Sequence, residues 1–398
     1  MFKSLSFLVV FSIFIALNAC SDQAPLSVDQ KTDDAARLAK SAYDLPATDM
    51  VTVMTRNIYV GTDVDVILSA TDPNQIPVLT AQAFQQMQQT NFPERAMALA
   101  KEIYETNPHL IGLQEVSLVR LQTPGDAIYG GTTPAEEVYQ DFMQILLDAL
   151  ASYGLDYYVA GIQANADVEL PMLTSETPPQ FSDVRLTDHD AVLARGDVQV
   201  TDVVTKHYAA ELVIPDVGIE IPRGFIALTA TINGKSYRFA NTHLEPAWND
   251  DVLKIQMAQA QELMLNLMPT TIPLILVGDF NSAAPDGETY RMVTTANKYT
   301  DTWLRNEWQD NPEGFTYGHD ADLLNEEPHF WERIDYVFVK NRLPGHIGPV
   351  FGPFYGTVVG DEVQDKTPSG LWPSDHGGVV VWLGMEGSGK VLAQKARR

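Results

Sequence analysis

The segment Leu274–Asn281, LILVGDFN, sets the first constraint. Four apolar residues in a row make a buried core strand, yet the strand finishes on Asp279 and Asn281 before the turn-like SAAPDG. Residues two apart in a strand share a face, so Asp279 and Asn281 are expected to point one way and Phe280 the other. The pattern recurs along the chain. Asn57 follows the strand-like Val51–Arg56, Gln114 and Glu115 follow LIGL, and Asn241 and His243 end another strand with Thr242 opposed. Arg333 and Asp335 instead open IDYVFV, and Ser374-Asp375-His376 precede GGVVVWL. If those two strands run antiparallel to the others, all six segments deliver polar groups to one rim of a sheet layer.

Between these segments the chain interleaves helices and strands. Helical spacing of apolar residues predicts helices over Pro93–Tyr104, Tyr139–Leu150 and Asp251–Met268, the last capped by Asn249 or Asp250. Further strands are expected at Leu110–Leu113, Tyr157–Ile162, Ala191–Ala194, Phe225–Ile232 and Tyr237–Thr242, with Asn233-Gly234 as a hairpin turn. Crossovers together with hairpins imply an α+β chain with a mixed sheet, or two sheets with helices outside. Residues 61–91, 164–188 and 352–373 lack strong periodicity and are expected to be loop insertions.

The N-terminus carries a separate message. Lys3 precedes the apolar run Leu5–Leu17, too short for a comfortable membrane span and suited to a secretory signal. Leu17-Asn18-Ala19-Cys20 resembles a bacterial lipobox, which implies a signal peptide over 1–19, lipidation at Cys20 and a polar tether over 20–47. The main domain is expected over 48–384, with a polar basic tail over 385–398. Cys20 is the only cysteine, so an exported chain has no internal disulfide, no thiolate zinc site and no cysteine nucleophile. A formal charge of −26 opposes a phosphate polymer held on a general basic surface. Phosphate chemistry remains open, because a bound divalent cation inverts the local field.

Singly, a strand-end Asp or a lone His is more often structural than chemical, and His189-Asp190 and His319-Asp320 are read that way. Arg223 stands at the end of an alternating, hairpin-like segment and could meet a phosphate. As an ordered set, MTRN, IGLQEV, NTHLE, VGDFN, RIDYVFV and PSDH resemble the motif series of the endonuclease/exonuclease/phosphatase superfamily, from about Val51 to Leu383. The resemblance implies a four-layer α/β/β/α sandwich of two mixed β-sheets with helices outside. It also implies Glu115 as the principal ligand of Mg²⁺ (or Mn²⁺/Ca²⁺), with Asn57 and Asp375 beside it. His376 would pair with Asp335, Asp279 would orient or deprotonate the attacking water, and Asn281 and His243 would donate to non-bridging oxygens. Val116-Ser117 stand where the nuclease-like branch often carries an Arg. Tyr59 stands where abasic-site enzymes have an Asp. Both departures leave the hydrolytic core untouched.

The expected function is therefore a divalent-metal-dependent phosphodiesterase outside the cytoplasm, with nucleic acid the leading substrate. The alternatives are a sphingomyelinase-type phospholipid phosphodiesterase acting on a head group, or a phosphomonoesterase. A reading different in kind is a lipid-anchored binding protein without turnover. The expected location is a bacterial membrane, the outer one favoured, facing periplasm or exterior, with no obligate protein partner.

Overall fold

Alternation along the strands decides the layers. In β1 (Val51–Asn57) and β2 (Leu110–Gln114), Val53 and Leu110 face one apolar cluster while Met54 and Ile111 face another. Both faces of that sheet must therefore be covered. The computed structural model describes residues 50–68, 70, 72–214, 219–268, 270–308, 311–340 and 351–385. The expected signal peptide, Cys20 and the tether lie outside the described residues, as does the tail beyond Met385.

The first sheet adds β3 (Leu118–Gln122), β4 (Glu137–Asp141), β5 (Tyr157–Glu176), β6 (Pro179–Arg195), β15 (Phe351–Val359) and β16 (Gly378–Met385). Its order is β15-β16-β1-β2-β6-β3-β4, and β5 pairs with β6 off that path. The second sheet contains β7 (Gln199–His207), β10 (Gly224–Ile232), β11 (Lys235–His243), β12 (Leu274–Asp279), β13 (Thr300–Asp301) and β14 (Asp335–Lys340). Its order is β13-β14-β12-β11-β10-β7. A small ribbon pairs β8 (Leu212–Ile214) with β9 (Ile219–Ile221).

Three apolar layers result. Val53, Leu110, Ile226, Phe239, Ile275, Val277 and Val337 fill the space between the sheets. Helices Phe92–Thr106 and Phe142–Ser152 cover the outer face of the first sheet through Leu99, Ile103 and Leu146. Helix Asp250–Leu267 covers the second through Ala260, Leu263 and Met264. Each buried Leu, Ile or Val stabilises this stack by roughly 1.5–3 kcal/mol. The four-layer sandwich expected from the sequence is the fold observed. Asn249 caps the last helix, its side chain accepting from the N–H groups of Asp251 and Val252.

The three expected loops need correction. Residues 61–91 contain helix Ile76–Gln89, in which Thr80 is buried while Val78 is exposed, so its apolar residues mark no single face. Residues 164–188 lie in the long β5–β6 hairpin. Its prolines mask the strand, but β5 pairs only with β6, and an edge strand tolerates Pro171. Residues 352–373 begin with edge strand β15, where Pro353 falls at a register shift between Phe351 and Phe354. The helix expected at Tyr139 starts at Phe142, because Tyr139 and Gln140 belong to β4 and Asp141 caps the helix by accepting from Gln144 N–H.

Candidate active site

The apolar layer between the sheets gives way to polar groups at one end. β1 and β2 run parallel, as do β11 and β12, while β16 and β14 run antiparallel to them. The beginnings of β14 and β16 therefore meet the ends of the other four, as the motif order requires. First comes a buried amide layer: Gln114 Nε2 donates to Asn241 Oδ1 across the sheets at 2.6 Å, and Asn241 Nδ2 donates to the Leu113 and Ala191 carbonyls. Gly112 makes room for it, since a Cβ there would lie 2.5 Å from Asn241 Oδ1.

Beyond that layer, register places His243 beside Asp279 and Asp279 beside Asp335 on three neighbouring strands. Gly278 permits this close pairing. Its φ of +146° is one that side chains rarely adopt, and a Cβ would fall 2.0 Å from the Thr242 carbonyl oxygen. His376 closes the group: Nδ1 lies 2.9 Å from Asp335 Oδ2 and Nε2 lies 3.8 Å from Asp279 Oδ2. Thr316 Oγ1 donates to the same Asp335 oxygen at 2.6 Å.

Protonation follows from these contacts. Burial opposes charge on His376, but Asp335, Asp375 and Asp279 outweigh it and push its pKa up to about 10. Burial, with Asp335 adding to it, pushes Asp279 up to about 7 despite His376. His243 is held well below its usual range by burial and by Arg223 and His376. Arg223 Nη1, which can only donate, lies 3.0 Å from His243 Nδ1. The proton of neutral His243 is therefore on Nε2, 3.5 Å from Asp279 Oδ2. A base near neutrality thus stands between an imidazolium and a neutral imidazole.

Asn57 links this group to Glu115. Its Nδ2 donates to Glu115 Oε1 at 2.9 Å and reaches Asp279 Oδ2 at 3.3 Å, while its Oδ1 accepts from Tyr59 N–H. Glu115 Oε2 accepts from Val60 N–H at 2.9 Å. Ser374 Oγ donates to the Asn57 carbonyl and fastens the Asp375 loop to the end of β1. Burial, with Glu115 contributing, pushes the Asp375 carboxyl up to about 6 against the pull of His376. Tyr59, Glu115 and Asn281 all have positive φ, at 58°, 59° and 48°. Backbone held in that sparsely populated region clusters at functional sites.

Asn281 departs from the expected geometry. The strand ends at Asp279 and Asn281 turns into the left-handed region, so the two do not continue one strand face. Its N–H donates to Asp279 Oδ1 at 2.9 Å and its Nδ2 donates to the Leu244 carbonyl. It positions Asp279 rather than standing beside it.

Which residues fit a metal? Among the described residues, the group of three His, Asp or Glu side chains whose ligand atoms lie within 4.8 Å of one another is Asp279, Asp335 and His376. Asp335, Asp375 and Asp279 favour the protonated ring of His376 in that group, a form with no lone pair for a cation. Glu115 and Asp375 supply hard carboxylate oxygens whose mutual repulsion a cation would relieve, and they fit Mg²⁺, which takes few protein ligands. The Asn57 amide, in this arrangement, positions Glu115.

Other charged residues prove close to the site. Arg223 pairs with Glu245 at 3.4 Å and Asp188 at 3.5 Å, so its charge is already matched. Asp190, in a dipeptide read as structural, lies 3.9 Å from His243 Nδ1 and is fully buried with neither oxygen hydrogen-bonded. The long hairpin brings both carboxylates here, and a segment expected to be a loop gave no signal of it. His319 does pack structurally, stacked 4.1 Å from Trp372.

Arg95 holds the rim from behind. Fully buried, it donates to the carbonyls of Ile58, Tyr59, Thr90 and Pro373 at 2.7–3.0 Å. Arg95→Met leaves four acceptors unpaired, at about 1–3 kcal/mol each where water cannot reach. A loss of at least about 3 kcal/mol in urea unfolding is expected, and a change below about 1 kcal/mol would show that the clamp matters little.

The Endonuclease/Exonuclease/phosphatase family profile matches residues 83–376. Among solved structures, an endonuclease/exonuclease/phosphatase from Beutenbergia cavernae is 19% identical, with 85% of this chain and 72% of that one covered and a TM-score of 0.51. The Bacteroides thetaiotaomicron mannosyl-6-phosphatase is 15% identical, covering 84% and 99%, at 0.49. A family protein from Leptotrichia buccalis is 17% identical, covering 84% and 99%, also at 0.49. Comparison with the curated proteins finds no match.

Proposed function

This chain belongs to the endonuclease/exonuclease/phosphatase family and is a phosphoric ester hydrolase, and we propose that it is a divalent-metal-dependent phosphodiesterase acting outside the cytoplasm. The observation that carries the reading is the row His243–Asp279–Asp335, closed by His376 and linked through Asn57 to Glu115. Asp279 takes the proton of the attacking water, its value near 7 suiting a general base at neutral pH. Asn57, His243 and the Asn281 N–H aim its two oxygens. The imidazolium of His376 offers Nε2–H to a phosphoryl oxygen, and Asp335 holds the ring and its charge. A hard divalent cation at Glu115 and Asp375 would supply charge neutralisation for the phosphoryl group. Export and anchoring through Cys20 belong to the same reading, on the N-terminal residues alone.

The motif set and the export signal by themselves would put nucleic acid first among the substrates. The acidic chain counts against it.

The test is hydrolysis of bis-aryl and mono-aryl phosphates, oligonucleotides and sphingomyelin, with Mg²⁺, Mn²⁺ or Ca²⁺ and with chelator. Diester hydrolysis that chelator abolishes is expected. Glu115→Gln should raise the metal concentration needed for half-maximal rate by about tenfold or more. Turnover unaffected by chelator and by this substitution would end the metal-dependent reading.

A further inference from the structure

A cavity of about 210 Å³ opens beside Glu115. Its walls include Val64 and Phe84 from the helical segment 61–91, strands β3, β5 and β6 with Val119, Val168 and Leu186, Ile221 from the small ribbon, and Trp248 from the segment after β11. The walls are mostly aliphatic, with Phe84 and Trp248 the aromatic members. The charged groups at its edge are Glu115, Asp188, Arg223 and Glu245. Arg223 is already paired with both Asp188 and Glu245, so no cation there is left to hold a second phosphate. One buried hydroxyl, Thr80 Oγ1, lines the cavity without a hydrogen-bond partner and offers a single polar contact.

The cavity adjoins the reaction centre at Glu115. Glu115 lines it and touches Asn57 at 2.9 Å, and Asn57 reaches Asp279 at 3.3 Å. A group lying in the cavity would be attached directly to a phosphoryl group at the site. The space exceeds the roughly 150 Å³ at which an apolar protein cavity takes up benzene. A polynucleotide would have to place a sugar or a second phosphate against mostly aliphatic walls whose one cation, Arg223, is already shared by Asp188 and Glu245, and each costs desolvation without return.

We infer that this cavity is the subsite for an aliphatic chain carried by the phosphoester, so that the preferred substrate is an amphiphilic alkyl phosphodiester. The inference rests on the phosphodiesterase reading and adds the substrate class to it. Water adds to phosphorus, one P–O ester bond breaks, and the departing oxygen leaves with a proton as an alcohol, giving a phosphomonoester.

The test is a series of alkyl 4-nitrophenyl phosphates from methyl to octyl, below their aggregation concentrations, with the full-length protein. The ratio kcat/KM is expected to rise about two- to fourfold per methylene until the cavity is full. Ala83→Phe and, on a separate segment, Val64→Phe narrow the cavity and should bring the hexyl-to-methyl ratio to within about threefold of one. A flat series in the wild type overturns the inference, as does a DNA oligonucleotide with higher kcat/KM than the octyl ester. Vesicles of phosphatidylcholine, assayed alongside, distinguish a chain drawn from a lipid surface from one on a soluble ester. Calorimetric binding of hexylphosphonate against methylphosphonate separates the two readings. If no diester is hydrolysed, the phosphodiesterase reading fails, while chain-dependent binding lost on narrowing still supports the subsite and its absence overturns it.

Discussion

Asp279→Asn is expected to lower kcat by about 10²–10⁴-fold, the range attached to removing a positioned general base. In barrier terms that is about 3–5 kcal/mol. The exchange is nearly isosteric, and the amide oxygen can still accept from Asn281 N–H. The amide nitrogen then stands where Oδ2 stood and faces the Asn57 Nδ2 and His243 Nε2–H donors, a cost that does not vary with pH. The folded-state carboxyl is pushed from 3.8 up to about 7, so the native state holds this proton more tightly than the unfolded chain. Ionising it costs stability progressively between about pH 4 and 7, and the whole cost persists above that range. Removing the group lifts the pH-dependent cost, so the variant's melting midpoint relative to the wild type should rise between about pH 4 and pH 8. The two readouts together discriminate. A variant that is inactive but folded, with that pH trend, supports the assigned role. A variant retaining kcat within tenfold of wild type refutes it, and one that merely unfolds would show Asp279 to be structural.

How much of this was legible in the sequence follows from what each signal depends on. Strand alternation and the Asn233-Gly234 turn are local, and they located the central strands of both sheets. The rim was legible for a topological reason. Polar residues end four strands and begin two others, and only antiparallel placement of β14 and β16 brings them together. What failed was local pattern in edge and insertion segments. Pro171 and Pro353 lie in edge strands, where pairing on one side is enough, and the helix Ile76–Gln89 buries Thr80 and exposes Val78, so no apolar face stands out. These are the segments that bring Asp188 and Asp190 to the site and build the cavity beside Glu115. Asn281 was misplaced for a different reason: a single left-handed residue ends the strand, and period-two reasoning cannot anticipate it.

The group with the widest reach in pH is the His376–Asp335 pair, and Asp335→Asn tests it. In the wild type, kcat should rise as Asp279 loses its proton near pH 7 and fall as His376 loses its own near pH 10. Asp335 is the foremost group raising His376 against burial, at 2.9 Å from Nδ1. Without its charge, burial gains the upper hand and the falling limb should move down by at least about one pH unit. An amide in that place can also favour the wrong ring tautomer, so kcat at the optimum should drop by about 10²–10⁴-fold. Stability carries a matching signature. His376 is raised above its ordinary 6.5, so its stabilisation is complete below about pH 6.5 and is lost as pH climbs through about 10. The wild-type melting midpoint should therefore decline between pH 7 and 10 by more than that of the variant. A falling limb that stays in place in Asp335→Asn would mean that another group sets it, and His376 could then no longer be held to act as the charged donor.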